Sequence, residues 1–209
     1  MEISRIEKVN KSKLNIYIDG EYAFFLYQKD INQYHLKEGM ELNPELYEEI
    51  REEIVLYRAK QKALSLLKFM DRTKQQLKRK LKEAGYSEDI VESAIAYIDS
   101  FGYLSDERYA SVYIRERKHR KSKLALKVEL SQKGVPNEII EQVFEREYQE
   151  EAEDDPEMIA IKKSVAKKKL NLGSLSWEEK QKIIASLYRK GFELDKINKV
   201  LASMEEPYL

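Results

Sequence analysis

The chain contains no cysteine, which excludes disulfides, a thiol nucleophile and cysteine-ligated zinc. Histidine is nearly as scarce, and the two present, His35 and His119, stand too far apart to form a metal-spacing pair. No apolar run approaches the ~20 residues needed to span a bilayer. The first residues, Met1-Glu-Ile-Ser-Arg-Ile-Glu, lack the basic-then-apolar layout of a secretory signal, so the expected location is cytoplasmic, with no membrane partner. Serines occur without a Gly-x-Ser-x-Gly elbow, and no glycine-rich loop leads into a phosphate-binding lysine. Asp154-Asp155 reads as charged linker before it reads as a metal site. Glu107 beside Arg108 reads as a helix start with local salt bridges before it reads as a catalytic pair. The expectation is a non-enzyme with no cofactor and no metal.

What is present is a block that recurs three times. Leu77-Lys-Arg-Lys-Leu81-Lys-Glu-Ala-Gly85-Tyr86 is followed by Leu126-Lys-Val-Glu-Leu130-Ser-Gln-Lys-Gly134-Val135 and, more loosely, by Ile183-Ile-Ala-Ser-Leu187-Tyr-Arg-Lys-Gly191-Phe192. An apolar residue lies 8 before each glycine, a leucine 4 before, and an apolar or aromatic residue directly after. Val91, Ile140 and Ile197 follow 6 after the glycines, and Ala94, Val143 and Val200 follow 9 after. The glycines are 49 and then 57 residues apart, a period that marks a helical repeat array in which each unit buries its apolar face against neighbours. Such arrays present surfaces to large partners. The fold class expected is mainly α, an elongated array of three tandem three-helix repeats behind a small β-rich amino-terminal segment.

Local signals place the elements. Leu14-Asn-Ile16-Tyr-Ile18 and Glu21-Tyr22-Ala-Phe24 flank Asp19-Gly20, a strong hairpin signal, and Ile3, Ile6 and Val9 suggest a further strand. Gly39 marks a turn. Asn43-Pro44 reads as a cap followed by the first helical position, opening a helix that runs to Tyr57 or merges with the next. The β-rich segment thus covers 1–45, with a connecting helix to about 57, and the repeats cover 58–103, 104–150 and 156–203. Within the first repeat, Ala59, Ala63, Leu67 and Met70 form one apolar stripe, Thr73 caps the second helix, and Ser87-Glu88-Asp89 starts the third. Helices are expected near 105–118, 122–133 and 137–148. Seven acidic side chains from Glu147 to Glu157 read as a helix end plus a solvated linker. An extra stretch at 170–177 precedes a helix capped by Ser176. Tyr86, Tyr97, Tyr103, Tyr109 and Tyr113 fall on the apolar stripes and read as core residues.

The net charge of zero hides an asymmetry. Residues 1–57 carry 7 basic and 12 acidic side chains, residues 58–133 carry 19 and 10, and residues 134–209 carry 12 and 16. A basic centre between acidic ends is the footprint of a polyanion-binding surface, against the plainer reading of solvated helix faces. The candidate patch comprises Arg72, Lys74, Lys78 and Arg79, with Arg115, Arg117, Lys118, Arg120, Lys121, Lys123 and Lys127. Lysines and arginines that neutralise phosphates release counterions, while arginine forks also suit protein carboxylates. The sequence leaves those two targets open.

Phe101-Gly102-Tyr103-Leu104-Ser105-Asp106-Glu107-Arg108-Tyr109-Ala110 resembles the Gly-Tyr-Leu-(Asp/Asn)-Asp-x-Arg-(Phe/Tyr)-Ala signature of the bacterial RecX regulators. Arg72-Thr73-x3-Leu77-x3-Leu81-x3-Gly85-Tyr86 and Leu126-x3-Leu130-x3-Gly134-Val135 are similar to two further blocks of that family. The resemblance is close over 58–145 and looser in the third repeat. One departure is that the family often has a glycine in the basic stretch, where this chain has Arg117-Lys-His-Arg-Lys-Ser-Lys123. The resemblance implies a modulator of the RecA recombinase that binds RecA and the RecA–DNA filament, lies along the filament groove, and limits filament growth, ATP hydrolysis and strand exchange. The expected state is a monomer acting through the basic patch, whose charge also makes single- or double-stranded DNA a direct partner. The alternative is a stand-alone DNA-binding module.

Overall fold

A computed structural model describes residues 1–149, 155–167 and 176–205. It begins with a three-stranded antiparallel sheet, β1 (Ile3–Lys8), β2 (Lys13–Ile18) and β3 (Glu21–Tyr27), ordered β1-β2-β3. Asp19 and Gly20 take φ of 50° and 89° between the paired Ile18 and Glu21, the double positive φ that a two-residue hairpin turn of matching twist needs. Leu14, Ile16 and Ile18 alternate inward, but Phe24, Phe25 and Leu26 are buried consecutively. β3 is therefore covered on both faces.

Helix α1 (Gln28–Gln33) follows, an element for which the sequence showed no period. It is held by Asp30, whose carboxylate accepts from the Tyr27 backbone N–H and from both terminal nitrogens of Arg58 at 2.6 and 2.7 Å. α2 (Pro44–Glu49), capped by the Asn43 side chain, passes through a π-helical stretch (Ile50–Leu56) into α3 (Tyr57–Phe69). The two helices expected around Tyr57 merge.

Among the described residues the rest is three sets of three helices. α3, α4 (Lys74–Glu83) and α5 (Glu88–Ser100) form the first set. α6 (Asp106–Arg117), α7 (Lys123–Gln132) and α8 (Asn137–Gln149) form the second. α9 (Pro156–Ala166), α10 (Trp177–Tyr188) and α11 (Leu194–Glu205) form the third. Every apolar position of the recurring pattern is buried in all three sets. The middle helix of each set is capped alike: the hydroxyls of Thr73, Ser122 and Ser176 accept from the N–H groups of Gln76, Ala125 and Glu179. Each middle helix ends alike too, with the N–H after the glycine donating back to the carbonyl of Leu81, Leu130 or Leu187, the bond of a Schellman turn.

These elements gather into two compact units, Met1–Ser105 and Asp106–Leu209. In the first, sheet and helices α1–α5 share one core. Phe25 of β3 packs its ring 5.0 Å from that of Tyr86, while Lys13 Nζ and the Tyr22 hydroxyl donate to the carbonyls of Ala84 and Gly85. In the second, the two helical sets keep separate cores joined by polar clamps. Ser122 donates to the Lys190 carbonyl at 2.6 Å, and buried Glu157 accepts from the Lys123 N–H and from Lys196 Nζ.

Three expectations are corrected. Met70 does not continue the apolar stripe, because α3 stops at Phe69 and the chain turns extended there, leaving Met70 57% exposed. Tyr97 and Tyr103 are not core residues; they flank exposed Phe101 in a surface cluster, with ring centroids 5.0 and 6.1 Å from it. Tyr86 is buried as expected, and Tyr109 and Tyr113 are partly so. Most of the acidic linker and the stretch 170–175 lie outside the described residues. Asp155 caps α9 by accepting from the Glu157 N–H and pairs with Lys196 at 2.8 Å; Glu107 pairs with Arg146 at 2.6 Å.

Candidate functional site

The expected basic patch falls in two clusters, one per compact unit. In the first unit α4 lays its basic face beside the acidic positions of α5. Lys74 pairs with Asp99 at 2.7 Å and Lys78 with Glu92 at 2.6 Å, while Arg79 approaches Glu83 loosely at 3.7 Å. Arg72 lies just before α4, partly buried, with no hydrogen-bond partner for its Nε among the described residues.

In the second unit much of the charge is turned inward. Glu147 on α8 is 1% exposed and receives the Ser111 hydroxyl and Arg115 Nε, each at 2.5 Å. Burial alone would raise its carboxyl, yet the hydrogen bonds from Arg115 and Ser111 outweigh that and hold it below the ordinary range. Lys118 is buried and donates to the Glu147 carbonyl at 2.9 Å. Arg117 pairs with Glu116 and lies 4.1 Å from the Tyr113 ring centroid. Lys121 pairs with Glu129, which also takes the Tyr113 hydroxyl at 2.7 Å. Burial first, then that bond, push the Tyr113 phenol up to about 12. Lys127 pairs with Glu141, and Lys123 Nζ sits 4.4 Å from the Tyr148 ring centroid. Arg120, in the exposed turn after α6, has no such partner among the described residues.

Arg120 also leads to residues that the sequence reading missed. It borders a cleft of about 570 Å³ between the second and third helical sets, lined in addition by Lys121, Ser122, Ala125, Glu129, Ser164, Lys167, Arg189, Lys190 and Phe192. A second depression of about 510 Å³ shares Arg120, Ser164 and Lys167 and adds Lys163. Unlike most of the expected patch, Arg120, Lys163, Lys167, Arg189 and Lys190 are exposed and form no ion pair among the described residues. The Lys162-Lys163 and Arg189-Lys190 doublets were readable, but they stand in a segment whose summed charge is negative. Among the described residues no group of three or more carboxylates and histidines could hold a metal ion, and no helix is long and apolar enough to cross a membrane.

Comparison with known proteins finds four domains in order along the chain. The RecX N-terminal domain matches residues 1–43, and the first, second and third RecX three-helix domains match 59–97, 105–143 and 161–201. The regulatory protein RecX of Caldanaerobacter subterraneus subsp. tengcongensis is 35% identical over 203 residues, covering 96% of this chain and 98% of the relative. That of Clostridium acetobutylicum is 29% identical, covering 95% and 94%. A crystal structure of a regulatory protein RecX superposes with a TM-score of 0.63 at 26% identity, covering 95% of this chain and 98% of the other. With four domains matched in order and a relative this similar end to end, the chain belongs to the RecX family of regulatory proteins.

Proposed function

We propose that this chain is a non-enzymatic regulator that acts in the cytoplasm, binds the RecA recombinase and its filament on DNA, and restrains filament growth, ATP hydrolysis and strand exchange. The observation that carries the reading is the match of all four RecX domains, in order, over nearly the full length. The surface chemistry supports it. The carboxylates that pair with Lys74, Lys78 and Arg79 are solvent-accessible, and such pairs contribute about 0–1 kcal/mol. A carboxylate or phosphate of the filament can replace those partners at little cost. Arg117, Lys121 and Lys127 offer the same exchange in the second unit, and Arg120 and Lys123 add charge there without an ion pair to break among the described residues. Arg115 and Lys118 are engaged with Glu147 and serve that surface by holding α6 to α8.

The test follows RecA ATP hydrolysis on single-stranded DNA while the protein is added below one copy per RecA, with bare-DNA binding monitored at the same salt. Inhibition far below stoichiometry, without matching coverage of bare DNA, is the expected result. Inhibition only once the protein coats the DNA would replace this reading with a simple DNA-binding module.

A further inference from the structure

The cleft of about 570 Å³ between the second and third helical sets has no role in the reading above. Three segments line it with cations: Arg120 from the turn after α6, Lys167 from the end of α9, and Arg189 with Lys190 from the turn after α10. All of these are exposed and form no ion pair among the described residues. The other charges of the lining, Lys121 and Glu129, pair with each other. Helix ends do not balance the excess. The ends of α9 and α10 present about half a negative charge each, and the start of α7 at Ser122 about half a positive one. Like charges gathered in one concavity repel, and an anion from outside relieves that repulsion.

We propose that this cleft is a binding site for a small polyphosphate, the group that a nucleoside triphosphate carries. Its volume lies in the range of small-ligand sites. A polyphosphate concentrates its charge in one short chain, whereas a carboxylate ligand of equal charge needs far more room. Arg120 and Arg189 bring planar forks that take paired phosphate oxygens, and Lys167 and Lys190 add point charges. Arg189 is steadied by its Nε, which donates to the Ala185 carbonyl at 3.3 Å. The Ser164 hydroxyl, without a hydrogen bond among the described residues, adds a neutral donor. Ala125 and Phe192 supply an apolar wall for a nucleoside. Because Arg120 belongs to the second helical set and the other cations to the third, the ligand would reinforce the joint that Ser122 and Glu157 already make.

The experiment is calorimetric titration of the full chain with ATP, in magnesium-free buffer and with no recombinase or DNA. Inorganic triphosphate, AMP and adenosine are titrated in parallel. The expected result is saturation at one ATP per chain, with AMP weaker by about tenfold or more and adenosine without measurable heat. Inorganic triphosphate binding as tightly as ATP would assign the affinity to the phosphates alone, and tighter ATP would add the nucleoside; either agrees with the proposal. One variant carries Lys167→Gln and Arg189→Gln. The other carries Lys162→Gln and Lys199→Gln, an equal charge change on exposed positions outside the cleft lining. Circular dichroism checks that both stay folded. The cleft variant should lose about tenfold or more in ATP affinity, while the second variant stays close to the unmodified protein. ATP should also raise the melting temperature of the unmodified protein more than that of the cleft variant. AMP or adenosine binding as tightly as ATP overturns the proposal. So do uptake of several ATP molecules per chain, equal losses in both variants, or no binding at low salt. Since no recombinase is present, failure here leaves the filament reading untouched.

Discussion

The Ser122 hydroxyl donates to the carbonyl of Lys190 at 2.6 Å while accepting from the Ala125 N–H, so one buried side chain both caps α7 and holds the turn that ends α10. An analogous contact in the other unit joins the Tyr22 hydroxyl to the carbonyl of Gly85 at 2.6 Å. In each case the glycine turn of a three-helix set is the point of attachment to the preceding element, and the glycine is what lets that element come close.

Gly191 has φ of 83°, and a Cβ there would stand 2.9 Å from Ser122 Oγ and 3.1 Å from Leu124 Cβ. Gly191→Ala is therefore expected to combine backbone strain with a clash at the joint and to cost about 2–3 kcal/mol. Ser122→Ala, which loses both a cap and a buried hydrogen bond, should cost about 1–3 kcal/mol. Urea unfolding followed by circular dichroism measures both. A Gly191→Ala midpoint equal to that of the unmodified protein would show that the turn is not pressed against Ser122.

Arg115→Glu should destabilise the second unit by about 3 kcal/mol or more, because it sets a second carboxylate against buried Glu147. Loss of filament inhibition in that variant would report unfolding of α6 from α8, not a lost contact. Urea unfolding separates the two explanations, and a midpoint unchanged by Arg115→Glu would mean that the Glu147 pair contributes nothing.

Lys78→Ala and Arg79→Ala behave differently. Their partners are solvent-accessible, so stability should move by less than about 0.5 kcal/mol. If the first-unit cluster touches the filament, the double variant should need several-fold more protein for half-inhibition of RecA ATP hydrolysis. Half-inhibition at the same concentration would remove α4 from the proposed contact surface.

Acid stability follows from the carboxylates. Asp30, Glu147 and Asp155 are each raised by burial but lowered further by their partners, Arg58, Arg115 and Lys196 respectively, so all three lie below their ordinary range when folded. A depressed carboxylate contributes stability in full above its unfolded value, near 4, and loses it as pH falls through the lower folded value. Urea midpoints should hold from neutrality to about pH 5 and then decline. Asp30→Asn should start lower at neutral pH and decline less steeply. Parallel pH profiles for the two proteins would show that Asp30 is not linked to folding.

Much of this architecture was legible because its causes are local. Asp19-Gly20 turns the hairpin by its own backbone preferences, and Thr73 and Ser176 cap helices with bonds that close within three residues. The recurring leucines and glycines needed only helical geometry to mark a buried face. Helix α1 escaped because it depends on Asp30 meeting Arg58, 28 residues later. Tyr97 and Tyr103 were misplaced because periodicity identifies an apolar face without showing whether another element covers it.

The sequence by itself determined the repeat, its caps, its glycine turns and the family to which the chain belongs, since each is written in short-range spacing. Only the tertiary structure decided which charges are available. Lys118 and Arg115 look as exposed in sequence as Arg120, yet folding aims the first two at Glu147 and leaves the third open. Likewise Lys167 and Arg189 are too far apart along the chain for any local pattern to join them, and a segment-wide sum of charge hides both. They share a cleft because the third helical set packs its glycine turn against Ser122, and electrostatic free energy depends on distance in space rather than on separation along the chain.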